Sequence, residues 1–553
     1  MIGNILDALR AGELDAQQLD RIIRNRSSEA HDGRRVFAKK RILPFYLNER
    51  ACESELWKRW NVDDDLDARF VRALQMKPRR TASGVATVTV ITKPWPCANA
   101  CVYCPNDPRM PKSYLSDEPA CQRAQRNRFH PYLQVASRLR TLAQMGHATD
   151  KVELIVLGGT WLDYPPDYQE WFIGELFRAL NDPEERRADA LAREQEFLRN
   201  APQSHSMEGI ARLHALNEKA AQRVVGLVVE TRPDTVSAAS LTRLRAFGCT
   251  KIQLGVQSVD DAVLAANGRH ETTATIREAF ALARLFGFKI HAHFMVNLLG
   301  ATPASDIRDY RTFATATPYQ PDEVKLYPCA LVGGTPLVEH FEDGTWQPYA
   351  EAELVDVLSN NLLDTPAYTR VSRMIRDISA NDILAGNKKT NLRQMVEDNV
   401  RPQADRVREI RFREIGTEEV DVDELTMEDI VYDAGDTLEH FFQWVTPANK
   451  IAGFLRLSLP RPEAIERRKG TLPVSRGEAM IREVHVYGRV AKLNRSDANA
   501  QHRGLGRALV ERACACAKER GFAKVNVISA VGTRGYYRKL GFADGALYQF
   551  IEL

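Results

Sequence analysis

Short apolar runs alternate with amphipathic helical segments between about residues 85 and 327, and this alternation constrains the fold more than any other feature. The runs are rich in β-branched residues and have the length of buried strands: VATVTVIT, VELIVLGG, VVGLVVET, TKIQLGVQS, KIHAHFMVNLLG and DEVKLYP. Strands separated by helices form parallel sheets, because each parallel connection must cross back over the sheet. The sequence therefore predicts an α/β protein with an incomplete parallel (β/α)6 barrel, whose chemistry lies at the carboxyl ends of the strands.

Three cysteines directly follow the first of these strands. Cys97, Cys101 and Cys104 have the spacing C-x3-C-x2-C, and no fourth cysteine lies close behind them. Electron-transfer clusters normally take four cysteine thiolates, so three would leave one iron of a four-iron cluster open to a substrate or cofactor. A zinc site is the alternative, but its nearest fourth ligands, Cys121 and His130, lie outside the usual spacing.

The rest of the chain divides into regions around this barrel, which is assigned residues 79–335. Residues 336–413 are interpreted as a connector, and residues 414–553 as a second, mixed α/β domain with strands in REVHVYG, AKVNVIS and ALYQFIEL. The charged segment between the second and third strands is interpreted as a helical insertion. Residues 1–78 have helical periodicity and carry basic patches, which include Arg34, Arg35, Lys39, Lys40 and Arg41.

A glycine-rich turn opens the strongest helix of the C-terminal domain. In QHRGLGRALV the pattern Q-x-x-G-x-G runs from Gln501 to Gly506, and the helix is predicted from Gly504 to Arg520. Glycines at a helix start let backbone amides approach a pyrophosphate, and the helix dipole favours its negative charge. The pattern predicts a phosphate-binding turn, although a helix start without a ligand is the commoner case.

Composition narrows the location of the protein. No stretch approaches 18 uninterrupted apolar residues, about the length that spans a bilayer, and the charged N-terminal segment lacks the apolar core of a signal peptide. The nine cysteines are odd in number and mostly scattered, which is not typical of a disulfide framework. These features predict a cytoplasmic protein with no membrane association.

Basic residues are concentrated around the cysteines. From Arg69 to Arg140 there are 13 Lys or Arg against three Asp or Glu, whereas the net charge of the whole chain is only +3. Such a local excess is typical of a surface that binds a polyanion, and equally of a solvated basic surface. The candidate phosphate contacts are Arg79, Arg80, Arg123, Arg126 and Arg128.

The cysteine loop resembles that of the radical S-adenosylmethionine enzymes. In that family the open iron of a 4Fe-4S cluster chelates the amino and carboxylate groups of S-adenosylmethionine, and an electron from a donor cleaves the cofactor to a 5′-deoxyadenosyl radical. The resemblance implies that the three cysteines hold such a cluster. It also matches Tyr103 to the aromatic residue before the last cysteine, and it assigns S-adenosylmethionine contacts to Gly158 and Gly159 after the second strand and to Gly255, Gln257 and Ser258 at the fourth strand.

The segments QHRGLGRALV and GYYRKLGF resemble the acetyl-CoA half of the Gcn5-related N-acetyltransferase (GNAT) fold. The resemblance implies that acetyl-CoA is a co-substrate and that Tyr537, or its neighbour Tyr536, lies near the sulfur and protonates the departing thiolate. Simple packing of an aromatic pair is the alternative. The implied backbone contacts to the pantetheine arm are Glu483, Val484, His485 and Val486, and those to the pyrophosphate are Leu505, Gly506 and Arg507.

From about residue 80 onward the chain resembles the Elongator catalytic-subunit family, the tRNA uridine acetyltransferases, through CVYCPNDP, SYLSDEPACQRAQRNRFHPYLQ, DKVELIVLGGTW, ETRPD, REVHVYG and VGTRGYYRKLGF. The resemblance implies that a tRNA anticodon stem-loop is the partner, with residues 1–78 a candidate tRNA-binding region, and that its wobble uridine is modified. The deoxyadenosyl radical would take a hydrogen from the acetyl methyl group, the carbon radical would add to C5, and loss of coenzyme A would give a 5-carboxymethyl-type uridine. Lys151 matches a family lysine assigned to acetyl-CoA at the seam between the domains.

Two other functions remain open at this point. One is a protein lysine acetyltransferase whose barrel is only a platform, and the other is a non-catalytic tRNA-binding scaffold. The intact cysteine triad and acetyl-CoA loop favour the tRNA-modifying enzyme over both. Eukaryotic family members have a longer gap before the last cysteine pair, so the compact spacing here favours a prokaryotic enzyme that does not require the other Elongator subunits. The oligomeric state is not predicted.

Overall fold

The computed structural model describes most of the chain. Of residues 27, 28, 79, 80 and 503 only the backbone is described, and predictions on Arg34, Arg35 and Gln501 lie outside the described residues. The described ranges are 1–28, 37–81, 83–416, 420–487 and 503–553. None of the helices in these ranges is long and apolar enough to cross a lipid bilayer.

A helical region precedes the barrel, as predicted. Its apolar faces form one cluster around Leu43, Tyr46 and Phe70, and the rings of Tyr46 and Phe70 stack with their centroids 4.0 Å apart. The five helices are α1 (Ile2–Ala11), α2 (Ala16–Ser28), α3 (Lys39–Ala51), α4 (Glu55–Trp60) and α5 (Asp64–Leu74).

Seven parallel strands form the barrel sheet, and their order in space follows their order in the chain. They are β1 (Ala86–Ile91), β2 (Lys151–Leu157), β3 (Arg223–Thr231), β4 (Lys251–Gln257), β5 (Lys289–Val296), β6 (Glu323–Pro328) and β8 (Arg370–Arg373). The six predicted strands are all present. The seventh, β8, was not predicted, because its sequence RVSR is short and polar and falls in the segment interpreted as a connector.

Helices cover the outer face of this sheet, and their apolar side chains pack with those of the strands in one continuous core. The segment predicted as a helical insertion forms α9, α10 and α11. A small antiparallel pair, β7 (Leu331–Val332) and β9 (Ile383–Ala385), lies outside the main sheet. The helices of this part are α6 (Pro119–Arg126), α7 (Pro131–Gln144), α8 (Pro166–Asn181), α9 (Glu184–Ala192), α10 (Glu194–Asn200), α11 (Met207–Asn217), α12 (Ala238–Ala246), α13 (Asp261–Ala266), α14 (Thr273–Leu285), α15 (Pro303–Thr315), α16 (Leu337–Glu342), α17 (Glu351–Asp364), α18 (Leu392–Val400) and α19 (Ile410–Arg413).

The C-terminal domain is built on a mixed sheet of seven strands in the order β10-β11-β12-β13-β14-β16-β15. Only β13 and β14 are parallel, and the other neighbours are antiparallel. This confirms the predicted mixed α/β domain. Its elements are β10 (Thr426–Asp433), β11 (Thr437–Val445), β12 (Ile451–Pro460), α20 (Pro462–Arg467), β13 (Glu478–Val486), α21 (Arg503–Glu519), β14 (Lys524–Val527), α22 (Arg534–Lys539), β15 (Ala543–Asp544) and β16 (Gln549–Glu552).

Four buried charged side chains, here called the seam cluster, join the two domains: Asp322, Glu439, Arg456 and Arg482. Asp322, directly before β6, accepts hydrogen bonds from both terminal nitrogens of Arg482 at 2.7 and 2.8 Å, and Arg482 also donates to Glu439 at 2.8 Å. Arg456 lies 3.4 Å from Asp322, and all four side chains are at most 1% exposed. Because a buried charge without a partner is costly, these pairs hold the two domains in one arrangement.

Candidate active site

Two cavities adjoin on the inner side of the barrel sheet. The inner cavity, about 390 Å³, runs along the barrel interior from strand residues near the amino-terminal rim to residues near the carboxyl ends and Tyr103 of the cysteine loop. The outer cavity, about 490 Å³, lies between the amino-terminal rim of the barrel and the C-terminal domain. Thr87, Glu153, Lys251 and Glu323 line both cavities, so the two share a wall.

The cysteine loop follows β1 and is held against basic side chains from later strands. Arg232, after β3, lies with Nη1 3.3 Å from the Cys97 sulfur, and Arg269 Nη1 lies 3.8 Å from the Cys101 sulfur. Cys104 is buried, and burial raises the pKa of its thiol to about 11. Cysteines bind iron as thiolates, and the guanidinium groups of Arg232 and Arg269 lie where they would balance that negative charge. The donor set therefore fits an iron–sulfur cluster.

No three His, Cys, Asp or Glu side chains within the described residues converge as ligands of a single metal ion. The cysteines that hold a cluster bind separate irons, so they need not converge in this way. Of the alternative zinc ligands, Cys121 packs with Ile91 and Met110, and His130 packs against the Trp171 ring. The assignment of Cys97, Cys101 and Cys104 to a cluster stays a prediction.

Arg232 and Arg269 were not assigned a role from the sequence. Arg232 makes a paired contact with Asp234 at 2.9 Å and reaches Asp163 at 2.9 Å, and Arg269 donates to the Tyr103 hydroxyl at 3.2 Å. Both side chains are thereby fixed beside the cysteine loop. The segment ETRPD carried a signal for Arg232, because an arginine directly after a barrel strand lies at the catalytic end of the sheet.

The glycine pair after β2 allows a close approach between the chain and the start of the cysteine loop. A Cβ atom at Gly158 would lie 1.7 Å from Thr92 Oγ1, and one at Gly159 would lie 3.2 Å from the Lys112 carbonyl oxygen. Gly159 also has a φ of +82°, which favours glycine. The pair thus leaves bare backbone at the carboxyl end of β2, which fits the predicted cofactor contact without testing it.

The residues of the fourth-strand motif have different surroundings in the structure. Gln257, with φ +74°, lines the inner cavity, and its buried Oε1 has no hydrogen-bond partner among the described residues. Gly255 lies beside it, since a Cβ there would stand 3.3 Å from Gln257 Nε2. Ser258 instead donates to Asp309 at 2.6 Å. Burial raises the pKa of that carboxyl to about 6, against the effect of the Ser258 hydrogen bond.

A polar cluster that the sequence did not predict lines the inner cavity. Lys325 donates to Gln253 Oε1 at 2.6 Å, His293 Nε2 lies 3.2 Å from the same oxygen, and Tyr114 donates to Glu230. Burial lowers the pKa of Lys325 to about 8, against the attraction of Glu230. The cavity therefore carries a positive charge that is lost slightly above neutral pH.

The outer cavity occupies a gap between two diverging strands. Among the described residues, β13 and β14 pair in parallel only as far as Ile481 and Val527, after which β13 continues to Val486 alongside β12 and no other strand. Glu483, Val484 and His485 line the gap from one side, and the residues after β14 line it from the other. The backbone of β13 on that side is free to pair with an extended ligand, as the resemblance implies for these residues and for Val486.

The start of α21 lies at the edge of this gap. Leu505 is buried, and its carbonyl oxygen accepts from the Trp444 indole at 3.3 Å. A Cβ atom at Gly506 would lie 3.1 Å from the Tyr536 hydroxyl, so the helix start and Tyr536 are in close contact. Arg507 is exposed and pairs with Glu511 at 2.7 Å along the helix surface. Its side chain therefore does not point to a site in this arrangement.

The two tyrosines predicted near the thioester sulfur differ in position. Tyr537 lines the outer cavity, whereas Tyr536 packs beside Gly506. Burial and the neighbouring Tyr536 raise the pKa of Tyr537 above its usual range, so the phenol stays protonated at neutral pH. Of the two tyrosines, Tyr537 has the position of a general acid for a leaving thiolate, because it alone lines the outer cavity.

Lys151 begins β2 beside the C-terminal domain. It is paired in register with Arg223, and a Cβ at Gly532 would lie 2.7 Å from the Arg223 Cβ, so the C-terminal domain packs directly there. Burial lowers the pKa of Lys151. Lys151 lies near the boundary between the two domains but outside the lining of the outer cavity, and its assignment to acetyl-CoA stays a prediction.

The predicted RNA-contacting arginines do not form one uniform surface. Arg123 donates to the Thr89 carbonyl oxygen at 2.7 Å, and exposed Arg128 forms an ion pair with Glu194. Arg126 is exposed on α6. The side chains of Arg79 and Arg80 lie outside the described residues, although their backbone forms a 3-10 turn.

Comparison with known proteins defines the class of each domain. Residues 97–313 match the Radical SAM superfamily, residues 321–401 match the Radical_SAM C-terminal domain, and residues 405–542 match the Acetyltransferase (GNAT) family. The protein is therefore a radical S-adenosylmethionine barrel joined to a GNAT-type acetyltransferase domain, as the sequence predicts. The matched C-terminal part of the barrel includes β8, in agreement with its place in the sheet.

Relatives that span nearly the whole chain identify the family. The tRNA uridine(34) acetyltransferase of Dehalococcoides mccartyi is 36% identical over 84% of this chain and 97% of its own length. Elongator complex protein 3 of Danio rerio is 34% identical over 86% of this chain and 85% of its own. The solved structure of an archaeal Methanocaldococcus infernus Elp3 with residues 1–46 deleted is 31% identical and superposes with a TM-score of 0.71, covering 85% of this chain and all of that one. The chain belongs to the family of tRNA uridine(34) acetyltransferases and Elongator complex protein 3.

Proposed function

We propose that this protein modifies the wobble uridine of tRNA, using acetyl-CoA bound in the outer cavity and radical chemistry at the inner cavity to form a 5-carboxymethyl-type uridine. The observation that carries the proposal is the wall shared by the two cavities. One cavity lies at the gap between acetyltransferase strands, the other beneath the cysteine loop, and Thr87, Glu153, Lys251 and Glu323 line both. The names of the bacterial and archaeal relatives, tRNA uridine(34) acetyltransferase, support the same substrate.

At the inner cavity, the residues of this chain hold and orient the cofactors. Cys97, Cys101 and Cys104 would bind three irons of a 4Fe-4S cluster, while Arg232 and Arg269 balance the charge of the thiolates. When bound, the cluster and S-adenosylmethionine would supply a 5′-deoxyadenosyl radical able to take a hydrogen atom from the acetyl methyl group. The bare backbone at Gly158 and Gly159, the side chain of Gln257 and the strand end at Gly255 and Ser258 form the contact surface for S-adenosylmethionine.

At the outer cavity, the chain binds the coenzyme and controls one proton. The unpaired edge of β13 from Glu483 to Val486 pairs with the pantetheine arm, and the amides of Leu505, Gly506 and Arg507 face the pyrophosphate at the start of α21. Tyr537 lines the cavity as a protonated phenol and donates a proton to the departing thiolate. Lys151 supports this site from the seam.

The remaining partners follow from the substrate. An anticodon loop is bound through phosphate contacts, and the target base must leave its stack to reach the inner cavity. Residues 1–78 and the arginines around the cysteine loop supply the basic surface, with Arg126 the exposed member of that set on α6. A cytoplasmic electron donor supplies the cluster, and the other Elongator subunits are not required.

The proposal is tested by mass spectrometry of tRNA nucleosides after incubation with the purified, cluster-loaded protein, acetyl-CoA, S-adenosylmethionine and a reductant. Cys101→Ala is expected to abolish cluster absorbance and modified uridine while acetyl-CoA binding is retained. The matched control is Cys52→Ala, because Cys52 is exposed on the N-terminal region. Modified uridine formed by the Cys101 variant would contradict the radical mechanism.

The acetyl-CoA assignment is tested in the same assay. Gly506→Glu places bulk and negative charge at the start of α21 and is expected to eliminate acetyl-CoA binding while the cluster still loads. Gly3→Glu is the matched control, since nothing lies within 4 Å of a side chain there. Unchanged coenzyme affinity in the Gly506 variant would contradict the site. Acetylation of a histone peptide with no effect of tRNA would instead favour a protein lysine acetyltransferase.

A further inference from the structure

The amino-terminal rim of the barrel is lined by polar and charged side chains. Barrels of this type usually fill their interior with layers of branched apolar side chains. Here the barrel strands face the outer cavity with Thr87, Glu153, Lys251, Lys289, Glu323 and Arg370, and β3 contributes Val225 and Gly226. Four of these, Glu153, Lys251, Lys289 and Glu323, are called the rim ring below. Apolar side chains therefore do not fill the barrel interior at this rim.

Each lysine of the rim ring contacts two carboxylates. Lys251 Nζ lies 2.9 Å from Glu153 and 3.7 Å from Glu323, and Lys289 Nζ lies 3.1 Å from Glu323 and 2.7 Å from Glu483 of β13. Burial would lower the pKa of Lys251, but Glu153 and Glu323 outweigh it and raise the pKa. Lys251 thus stays charged at neutral pH, and each lysine of the ring has a second carboxylate within reach if one contact is broken.

Gly226 creates a gap in the rim. It lies on β3 between the strands that carry Glu153 and Lys251, and a Cβ atom there would stand 3.2 Å from Glu153 Cγ. Because Gly226 has no side chain, Lys251 reaches across β3 to Glu153. The Glu153 side chain takes up this space, which opens beside Gly226 only when Glu153 moves away from Lys251.

The inner cavity offers an open polar group beyond the ring. His291 lines the inner cavity, is 3% exposed, and its Nδ1 has no hydrogen-bond partner among the described residues. His291 Nε2 lies 3.9 Å from Glu323, so the imidazole stands directly behind the ring. A buried polar atom without a partner carries a desolvation cost that a ligand can remove.

We propose that the rim ring is a gate between the two cavities, through which the acyl end of a coenzyme A thioester passes beside Gly226 when Lys251 separates from Glu153. The proposal rests on the proposed function for the identity of the thioester. The acyl thioester is uncharged, so it can pass between exchanging ion pairs without requiring a charge of its own. The rim ring positions the passage and takes no part in bond making.

The gate is tested with bromoacetyl-CoA, which alkylates a thiolate with loss of bromide, on the cluster-loaded protein in the presence of tRNA. Thr89→Cys places a thiol in the inner cavity, and Ser529→Cys places one in the outer cavity. Peptide mass spectrometry gives the labelling rate at each position. We expect both cysteines to be labelled, the inner one more slowly. Labelling at position 529 without any at position 89 would overturn the proposal.

Two substitutions then change the gate itself. Gly226→Val is expected to lower labelling at position 89 about tenfold, because the added carbons fill a close-packed gap, with labelling at position 529 unchanged. Glu153→Gln is expected to raise labelling at position 89 several-fold, because it weakens the hold on Lys251. Gly209→Val, on α11 away from both cavities, is the matched control.

Labelling at position 529 in each variant also reports folding and coenzyme binding, so a misfolded protein is recognised. Equal labelling at position 89 with Gly226 and with valine would overturn the passage, and an unchanged rate in Glu153→Gln would overturn control by the ion pair. The labelling requires no uridine product. Failure of the proposed function would therefore leave the labelling result intact, and modified uridine without labelling at position 89 would refute the gate alone.

Discussion

The seam cluster and the rim ring consist of the same kinds of side chain but differ in how each charge is held. In the seam cluster, Arg482 makes a two-point contact with Asp322 at 2.7 and 2.8 Å, and the side chains are at most 1% exposed. In the rim ring the side chains are 8–27% exposed and border cavities. Glu483 contacts Arg456 of the seam and Lys289 of the ring. An ion pair is fixed where both side chains are buried and an arginine contacts a carboxylate at two points. In a cavity wall, a lysine that has two carboxylates within reach can exchange one for the other.

The largest effect is expected when the seam cluster is broken. Asp322→Asn leaves Arg456 and Arg482 buried without their shared carboxylate, and loss of one partner of a buried ion pair costs about 3–5 kcal/mol. Chemical denaturation should show this decrease in the free energy of unfolding. Asp189→Asn, in an exposed pair with Arg193, is the control. A decrease no larger than that of the control would show that the seam does not hold the domains together.

Glu483→Gln is expected to have the next largest effect, because it weakens both clusters. Burial would raise the pKa of Glu483, but Lys289 and Arg456 outweigh it and hold the value at about 2. A lowered carboxyl pKa stabilises the fold above the unfolded value of about 4.3, and we expect about 2–3 kcal/mol at pH 7. The stability difference between the variant and the original protein should shrink as pH falls from about 4 to about 2. A difference that is independent of pH would contradict the ionic origin.

Glu153→Gln weakens an ion pair of the rim ring and so tests whether such a pair contributes less to stability than a pair of the seam cluster. Glu153 is 27% exposed and Lys251 keeps Glu323 as a second partner, so we expect a loss in the free energy of unfolding below about 1 kcal/mol. Denaturation in low and high salt checks this value. A loss as large as that of the Asp322 variant would remove the distinction between exchangeable and fixed pairs.

The smallest effect concerns two lysines of the same sheet. Lys251 stays charged because its pKa is raised, whereas burial lowers the pKa of Lys325 to about 8. If the charge of Lys325 orients the substrate in the inner cavity, uridine modification should decline as pH rises through about 8. Lys325→Arg should move this decline upward by at least about one pH unit, since arginine keeps its charge. A pH profile identical in both proteins would exclude a role for that charge.

The sequence predicted those parts of the fold and of the candidate site that are marked by a residue pattern within one short segment. The six apolar strands, the cysteine loop after β1 and the glycine turn before α21 each occupy a short stretch with a characteristic spacing. The charged residues of the rim ring gave no such signal. Three of these residues lie near the starts of apolar strands, where a polar residue usually faces solvent: Glu153, Lys251 and Lys289. They come together only when the strands assemble into the sheet.

Contacts between segments that are distant in the chain could not be predicted from a single sequence either. Asp322 and Arg482 lie 160 residues apart, and neither has a local motif. The choice between Tyr536 and Tyr537 depended on which face of α22 borders the outer cavity, and two adjacent aromatic residues do not reveal that face. The strand β8 was not predicted because RVSR lacks an apolar run. Its place at the edge of the sheet is defined by its pairing with β6.

The seam cluster limits how this protein can be divided or recombined. An acetyltransferase domain expressed alone would expose Arg456 and Arg482 without the carboxylate of Asp322, which belongs to the barrel. A foreign acetyltransferase domain lacking an equivalent arginine pair would in turn leave Asp322 buried and uncompensated. The two domains therefore depend on each other to balance these buried charges, and any chimera must transplant both sides of the seam together.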